Sequence, residues 1–159
     1  MRPSDYYRDF VLPTLREYDS EPTDIRRAYL ASVILYHFCD CVEHFTNRKI
    51  RIASVFHDLV ILSPHFQLIR DLAVLAKHFW LDPTRPGNKG RWLPTLGDVH
   101  TGDEAAFDDG TYWDDGTSWT DSREVVRVRD ANDHPIDVSY ALQQACVAIE
   151  AYLAEHPTL

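Results

Sequence analysis

Ala28-Tyr29-Leu30-Ala31-Ser32-Val33-Ile34-Leu35-Tyr36-His37-Phe38-Cys39-Asp40-Cys41-Val42 is the stretch whose reading decides the fold. A helix with apolar residues at nearly every position has no face to offer water, so this segment belongs at the centre of a bundle. The helix that carries it is expected to begin near Asp19-Ser20-Glu21-Pro22, with Pro22 in the first turn where a missing N–H costs nothing, and to reach about Thr46. On its N-terminal side, residues 4–18 have Tyr7, Phe10, Val11 and Leu15 at helical spacing behind a capping Ser4, and Pro13 is expected to kink or split that helix. On its C-terminal side a helix is expected over residues 49–62. Ser63-Pro64 then reads as the start of another, with Ser63 as cap and Pro64 at the first position, running to about Trp80.

The turn formers Asp82-Pro83-Thr84-Arg85-Pro86-Gly87-Asn88 end that helix and open an irregular acidic insert, residues 82–122. The insert contains a tandem hexapeptide, Asp108-Asp109-Gly110-Thr111-Tyr112-Trp113 and Asp114-Asp115-Gly116-Thr117-Ser118-Trp119. Two short copies do not make a solenoid, and the carboxylates lack the ligand order of an EF-hand. Trp113 and Trp119 are six apart, a spacing that shares one face of an extended strand, and they read best as a lid packed on the bundle. Residues 124–138 read as a β-hairpin: Val126 and Val128 point one way, Arg127 and Arg129 the other, and Ile136-Asp137-Val138 returns. A closing helix over 138–156 carries the apolar stripe Ala141, Leu142, Ala145, Ile149 and Leu153. The expected fold is therefore mainly α: a four- to five-helix bundle in a single domain, 1–159, with an irregular acidic insert and a small C-terminal β-hairpin before the last helix.

A chain of 159 residues, 45% of them hydrophobic, has enough apolar material for a sizeable core. No apolar run approaches the roughly 18–20 residues that span a bilayer, and Met1-Arg2-Pro3-Ser4-Asp5-Tyr6 lacks the apolar stretch of a secretory signal. The three cysteines, Cys39, Cys41 and Cys146, are an odd and sparse set, which fits reduced thiols in the cytoplasm. The net charge of −9 opposes a broadly nucleic-acid-binding surface, yet residues 47–91 carry +5 and residues 98–124 carry −8. The acidic insert could cover the basic segment electrostatically, within one molecule or in a dimer.

Two helical stripes hold ionisable groups that are costly to bury without partners. In the first, His37, Cys41 and His44 are three and four apart and fall on one flank of the central helix, which makes them the candidate metal ligands. In the second, Arg70-Asp71-Leu72-Ala73-Val74-Leu75-Ala76-Lys77-His78, the pairs Asp71/His78 and Arg70/Lys77 each lie seven apart beside a core face of Leu68, Leu72, Leu75, Ala76 and Phe79. Asp71 could orient His37 from the neighbouring helix by accepting its ring N–H, or Asp71 and Asp40 could pair with Arg70, Lys77, Arg26 or Arg27 to fix helix register. No Gly-rich phosphate loop, nucleophile elbow, paired Cys-x-x-Cys or His-Glu-x-x-His occurs, and the helix around Cys41 is too apolar for a cysteine nucleophile.

The Arg70-Asp71-Leu72-Ala73…Lys77-His78 helix resembles the corresponding helix of HEPN-like helical-bundle families, and the order of elements over about residues 5–155 is similar to that of short bacterial members. The resemblance implies a homodimer with an RNA or protein partner. In its ribonuclease members it implies metal-independent cleavage of single-stranded RNA, with a histidine as general base on the ribose 2′-OH and an arginine stabilising the phosphorane charge. Arg70 then matches the arginine, Asp71 the polar residue and His78 the histidine, with His37 as a helper. His78 follows with one residue more than the family spacing, which rotates it by about 100° relative to Arg70. The primary expectation is a cytoplasmic HEPN-like binding or self-association module that needs no cofactor or membrane. The alternatives are a single-stranded RNA endonuclease using Arg70, Asp71, His78 and His37, and a metal-binding bundle using His37, Cys41 and His44.

Overall fold

A computed structural model describes residues 1–78, 99–102, 125–129 and 135–159. In chain order the elements are α1 (Pro3–Tyr6), a π-helical turn (Tyr7–Val11), α2 (Leu12–Asp19), α3 (Ile25–Phe45), α4 (Ile52–Leu62), α5 (Phe66–His78), β1 (Val99–Gly102), β2 (Val125–Arg129), β3 (Pro135–Asp137) and α6 (Val138–Glu155). This is the expected mainly helical bundle with a small hairpin ahead of the last helix. The hexapeptide repeat, Trp113 and Trp119 lie outside the described residues.

The central helix is α3, which touches α1, α2, α4, α5, α6 and β1 and packs most extensively on α5. Ala28, Ala31, Ser32, Leu35, Phe38, Cys39 and Val42 form its sealed stripe. Across it, Phe38 meets Tyr152 of α6 edge-on, with ring centroids 6.2 Å apart. From α5, Leu68, Ile69, Leu72 and Leu75 complete the same core, and Val126 and Val128 cover one end. Among the described residues no helix is long and apolar enough to cross a membrane.

Several local expectations move. Pro13 does not split the first helix; the chain runs helically from Pro3 to Asp19 and absorbs the proline with a wide turn just before it, where Leu12 N–H bonds Tyr7 O. Ser4 is not its cap, because its hydroxyl donates to the carbonyl of Leu159 at 3.1 Å. Nor does α3 start at Pro22. Its cap is Asp24, whose carboxylate accepts from Arg27 N–H at 3.1 Å. The carbonyl of Pro22 instead accepts from Tyr18 Oη at 3.1 Å and from Val126 N–H at 3.0 Å, tying the loop to β2. Ser63 does not cap α5 with its side chain. It ends α4 in extended geometry, its carbonyl accepts from Phe66 N–H at 3.0 Å, and its buried hydroxyl has no hydrogen-bond partner among the described residues.

The expected hairpin is present as antiparallel β2 and β3, with Val128 opposite Ile136. The insert is not wholly irregular, however. Val99–Gly102 forms a third strand on the other side of β2, with Val99 opposite Val128. Val99 and Thr101 favour a strand, but four residues are too short to form one alone and gain this conformation from pairing with β2. The last helix starts as expected, and Asp137 caps it by accepting from Ser139 N–H at 2.6 Å and Tyr140 N–H at 3.3 Å.

Candidate functional site

Helices α3, α4 and α5 border an open cavity of about 530 Å³ lined by Tyr36, Glu43, Arg51, Ile52, Ala53, Phe56 and Arg70. Such a volume falls in the range of small-molecule sites. Arg70 is brought there by α5. Its guanidinium lies over the ring of Phe56, 4.8 Å from the centroid, in a cation–π contact. Tyr36 of α3 meets the same phenylalanine edge-on, with centroids 6.2 Å apart. Burial raises the Tyr36 phenol above its usual range, and the adjacent Arg70 guanidinium offsets part of that rise.

Arg51 comes from the corner between α3 and α4. Its Nε lies 3.0 Å from Glu43 Oε1, with the arginine side chain 69% exposed and the glutamate 16%. Arg51 is also the N-cap of α4 and offers no side-chain cap, so the positive end of the helix dipole falls at Ile52 and Ala53 on the cavity wall. Among the described residues the lining holds two guanidiniums, Arg51 and Arg70, and one carboxylate, Glu43.

The corner is wound tightly. Asn47 and Arg48 both occupy the left-handed region, at φ 51° and 63°. Asparagine tolerates that region; arginine has no such allowance. The turn is held by Arg48 N–H to Glu43 O at 2.7 Å and by Ile50 N–H to Thr46 Oγ1 at 3.2 Å. Arg48→Gly is expected to stabilise the protein by up to about 1 kcal/mol, the relief of left-handed strain less the entropy of glycine. Urea unfolding checks this as a higher midpoint at unchanged slope.

Of the residues singled out in the sequence, Arg70 lines this cavity, and the His78 side chain lies outside what the structure describes. Asp71, one residue on, is fully buried on the other side of α5, where its Oδ1 accepts from Gln67 Nε2 at 3.1 Å. His37 is exposed on α3 and makes no hydrogen bond or ion pair with a described residue, so Asp71 does not orient it. His78 is the last residue of α5, eight positions and about 12 Å of helix rise beyond Arg70. The metal trio is not assembled either. His37 and His44 are exposed, Cys41 is half-buried with its thiol pushed up by burial, and no group of three or more His, Cys, Asp or Glu is placed to hold an ion among the described residues. Side chains spread over two turns of one helix diverge, and among the described residues nothing from another helix closes the set. The register pairs differ too: Arg27 holds Glu21 and Asp24 rather than Asp40, at 3.0 and 3.3 Å. Cys39, Cys41 and Cys146 are all free thiols.

No family model, curated protein or solved structure matches this chain. The chemistry of the cavity therefore stands on its own residues. Arg51 and Glu43 escaped the sequence reading because they are eight positions apart, one on α3 and the other beyond its end, and the left-handed corner brings them together. The one signal available was the positive charge of residues 47–91, which contains both arginines.

Proposed function

We propose that this protein is a binding module that holds an anionic ligand in the cavity between α3, α4 and α5. The observation that carries the reading is Arg70: a guanidinium laid on Phe56 beside Tyr36, on a wall that also presents the Arg51 guanidinium. A guanidinium recognises phosphate or carboxylate through two parallel hydrogen bonds, and the phenylalanine keeps its plane oriented for them. Ile52, Ala53 and Phe56 suit an apolar body on the same ligand. Calorimetric titration with phenyl phosphate tests this. Arg70→Ala is expected to weaken binding by about 10–100-fold, the worth of a hydrogen-bonded charged partner. Absence of binding by the wild type, or equal binding by the variant, would overturn it.

A HEPN-like ribonuclease is the second reading, favoured by the same placement of Arg70, the residue the family resemblance singles out. The variant above also serves here. Cleavage of single-stranded RNA in EDTA is expected to vanish in Arg70→Ala and in His78→Ala, whereas RNA left intact by the wild-type protein removes the reading. Self-association and a cytoplasmic location belong to the HEPN-like proposal, and light scattering checks the homodimer.

A further inference from the structure

The cavity contains a carboxylate that a plain anion site would not have, and the α3–α4 corner is built around it. Glu43 gives its backbone carbonyl to Arg48 N–H at 2.7 Å and its side chain to Arg51 at 3.0 Å. The two partners differ in freedom. Glu43 is held on the buried side of the pair, while Arg51 is a long, mostly exposed arm. Glu43 takes the Nε of Arg51, and the outer guanidinium nitrogens of that exposed arm remain to meet an anion while the pair stays intact. The Glu43 carboxylate then stands in the cavity wall beside the ligand. Its charge weakens the hold on an anion that has no hydroxyl. An anion that also carries a hydroxyl offers Glu43 a donor, and a hydrogen bond to an ionised acceptor is among the stronger ones.

Resting on the anion-binding reading above, we propose that Glu43 is the specificity-determining residue of the cavity, and that the ligand class is a hydroxylated organic anion. Its phosphate or carboxylate bonds Arg70 and Arg51, and its hydroxyl donates to the Glu43 carboxylate. The aromatic and aliphatic wall of Phe56, Ile52 and Ala53 accommodates the carbon skeleton.

The test compares glycerol 1-phosphate with propyl phosphate, two dianions of similar size that differ in their hydroxyls, by calorimetric titration. The wild-type protein is expected to prefer the hydroxylated compound by about tenfold, the worth of one such hydrogen bond. In Glu43→Gln, which keeps the size and removes the charge, propyl phosphate is expected to bind more tightly than in the wild type and the preference to shrink toward unity. The comparison of the two ligands on wild-type protein does not depend on the variant folding. If both compounds bind in an Arg70-dependent manner with equal affinity, or if Glu43→Gln leaves their ratio unchanged, the role of Glu43 is overturned while the anion cavity stands. If neither compound binds, the cavity reading itself fails.

Discussion

Raised through pH 9 to 12, the protein is expected to lose stability steeply and to unfold before about pH 12. The cause is a set of phenols and thiols buried by the bundle. Burial pushes the Cys146 thiol from 9.0 to about 12, with the nearby Glu150 and Asp19 adding to the rise and a hydrogen bond from Tyr7 opposing it. The Tyr152 phenol moves from 10.0 to about 12, and Tyr6 does the same, again chiefly through burial. Tyr7 and Cys39 are raised as well, Tyr7 also by its 2.7 Å hydrogen bond to Glu150. In every case the folded chain holds a proton that the unfolded chain has released. Below the unfolded values, near 9 for thiols and 10 for phenols, both states are protonated and stability is unaffected. As pH climbs from there toward the folded values, each group removes about 1.4 kcal/mol per pH unit. Denaturant unfolding across this range gives the slope directly. Combining Cys146→Ala with Tyr152→Phe removes two of the groups and is expected to flatten that slope by about 2.7 kcal/mol per pH unit above pH 10. An unchanged slope would contradict the assignment.

Phe38→Ala is expected to cost about 3–5 kcal/mol, a large part of the 5–15 kcal/mol that an ordinary domain possesses. Phe38 is fully buried on the sealed stripe of α3 and stacks edge-on with Tyr152 of α6. Truncation removes apolar area and leaves a void between two helices that meet through that pair, where neighbouring side chains cannot all relax inward. Phe38→Leu keeps most of the volume and is expected to cost less. Thermal or urea unfolding of the two variants separates the void from the simple loss of an aromatic ring. Equal, small losses in both would mean that α3 is not the packing centre.

The helices were readable because their signals are local. Ala28 to Val42 is apolar enough to require a central position, and the stripe from Ala141 to Leu153 gives α6 its buried side without knowledge of its neighbours. Helix starts were less readable, since Pro22 and Ser4 carry a strong local signal that a tertiary partner redirects, and Ser63 is taken by the helix before it. Pro22 serves β2, Ser4 serves Leu159, and Ser63 closes the preceding helix. Strand β1 had a local signal of only two β-branched residues, Val99 and Thr101, and its conformation comes from pairing with β2.

The site divides in the same way. Helical periodicity puts His37, Cys41 and His44 on one flank of α3 and sets Asp71 apart from Arg70. It could not tell which flank meets another helix. The bundle turns the histidine flank to solvent, buries Asp71 against Gln67, and swings Arg70 onto Phe56. What the amino-acid sequence determined by itself is the class of fold and the positive charge of its middle, because hydrophobic period and charge count are properties of neighbours along the chain. Which charges face one another was decided only by the tertiary structure. Glu43 and Arg51 meet across two left-handed residues, and Arg70 joins them from a third helix, through packing that no spacing along the chain encodes.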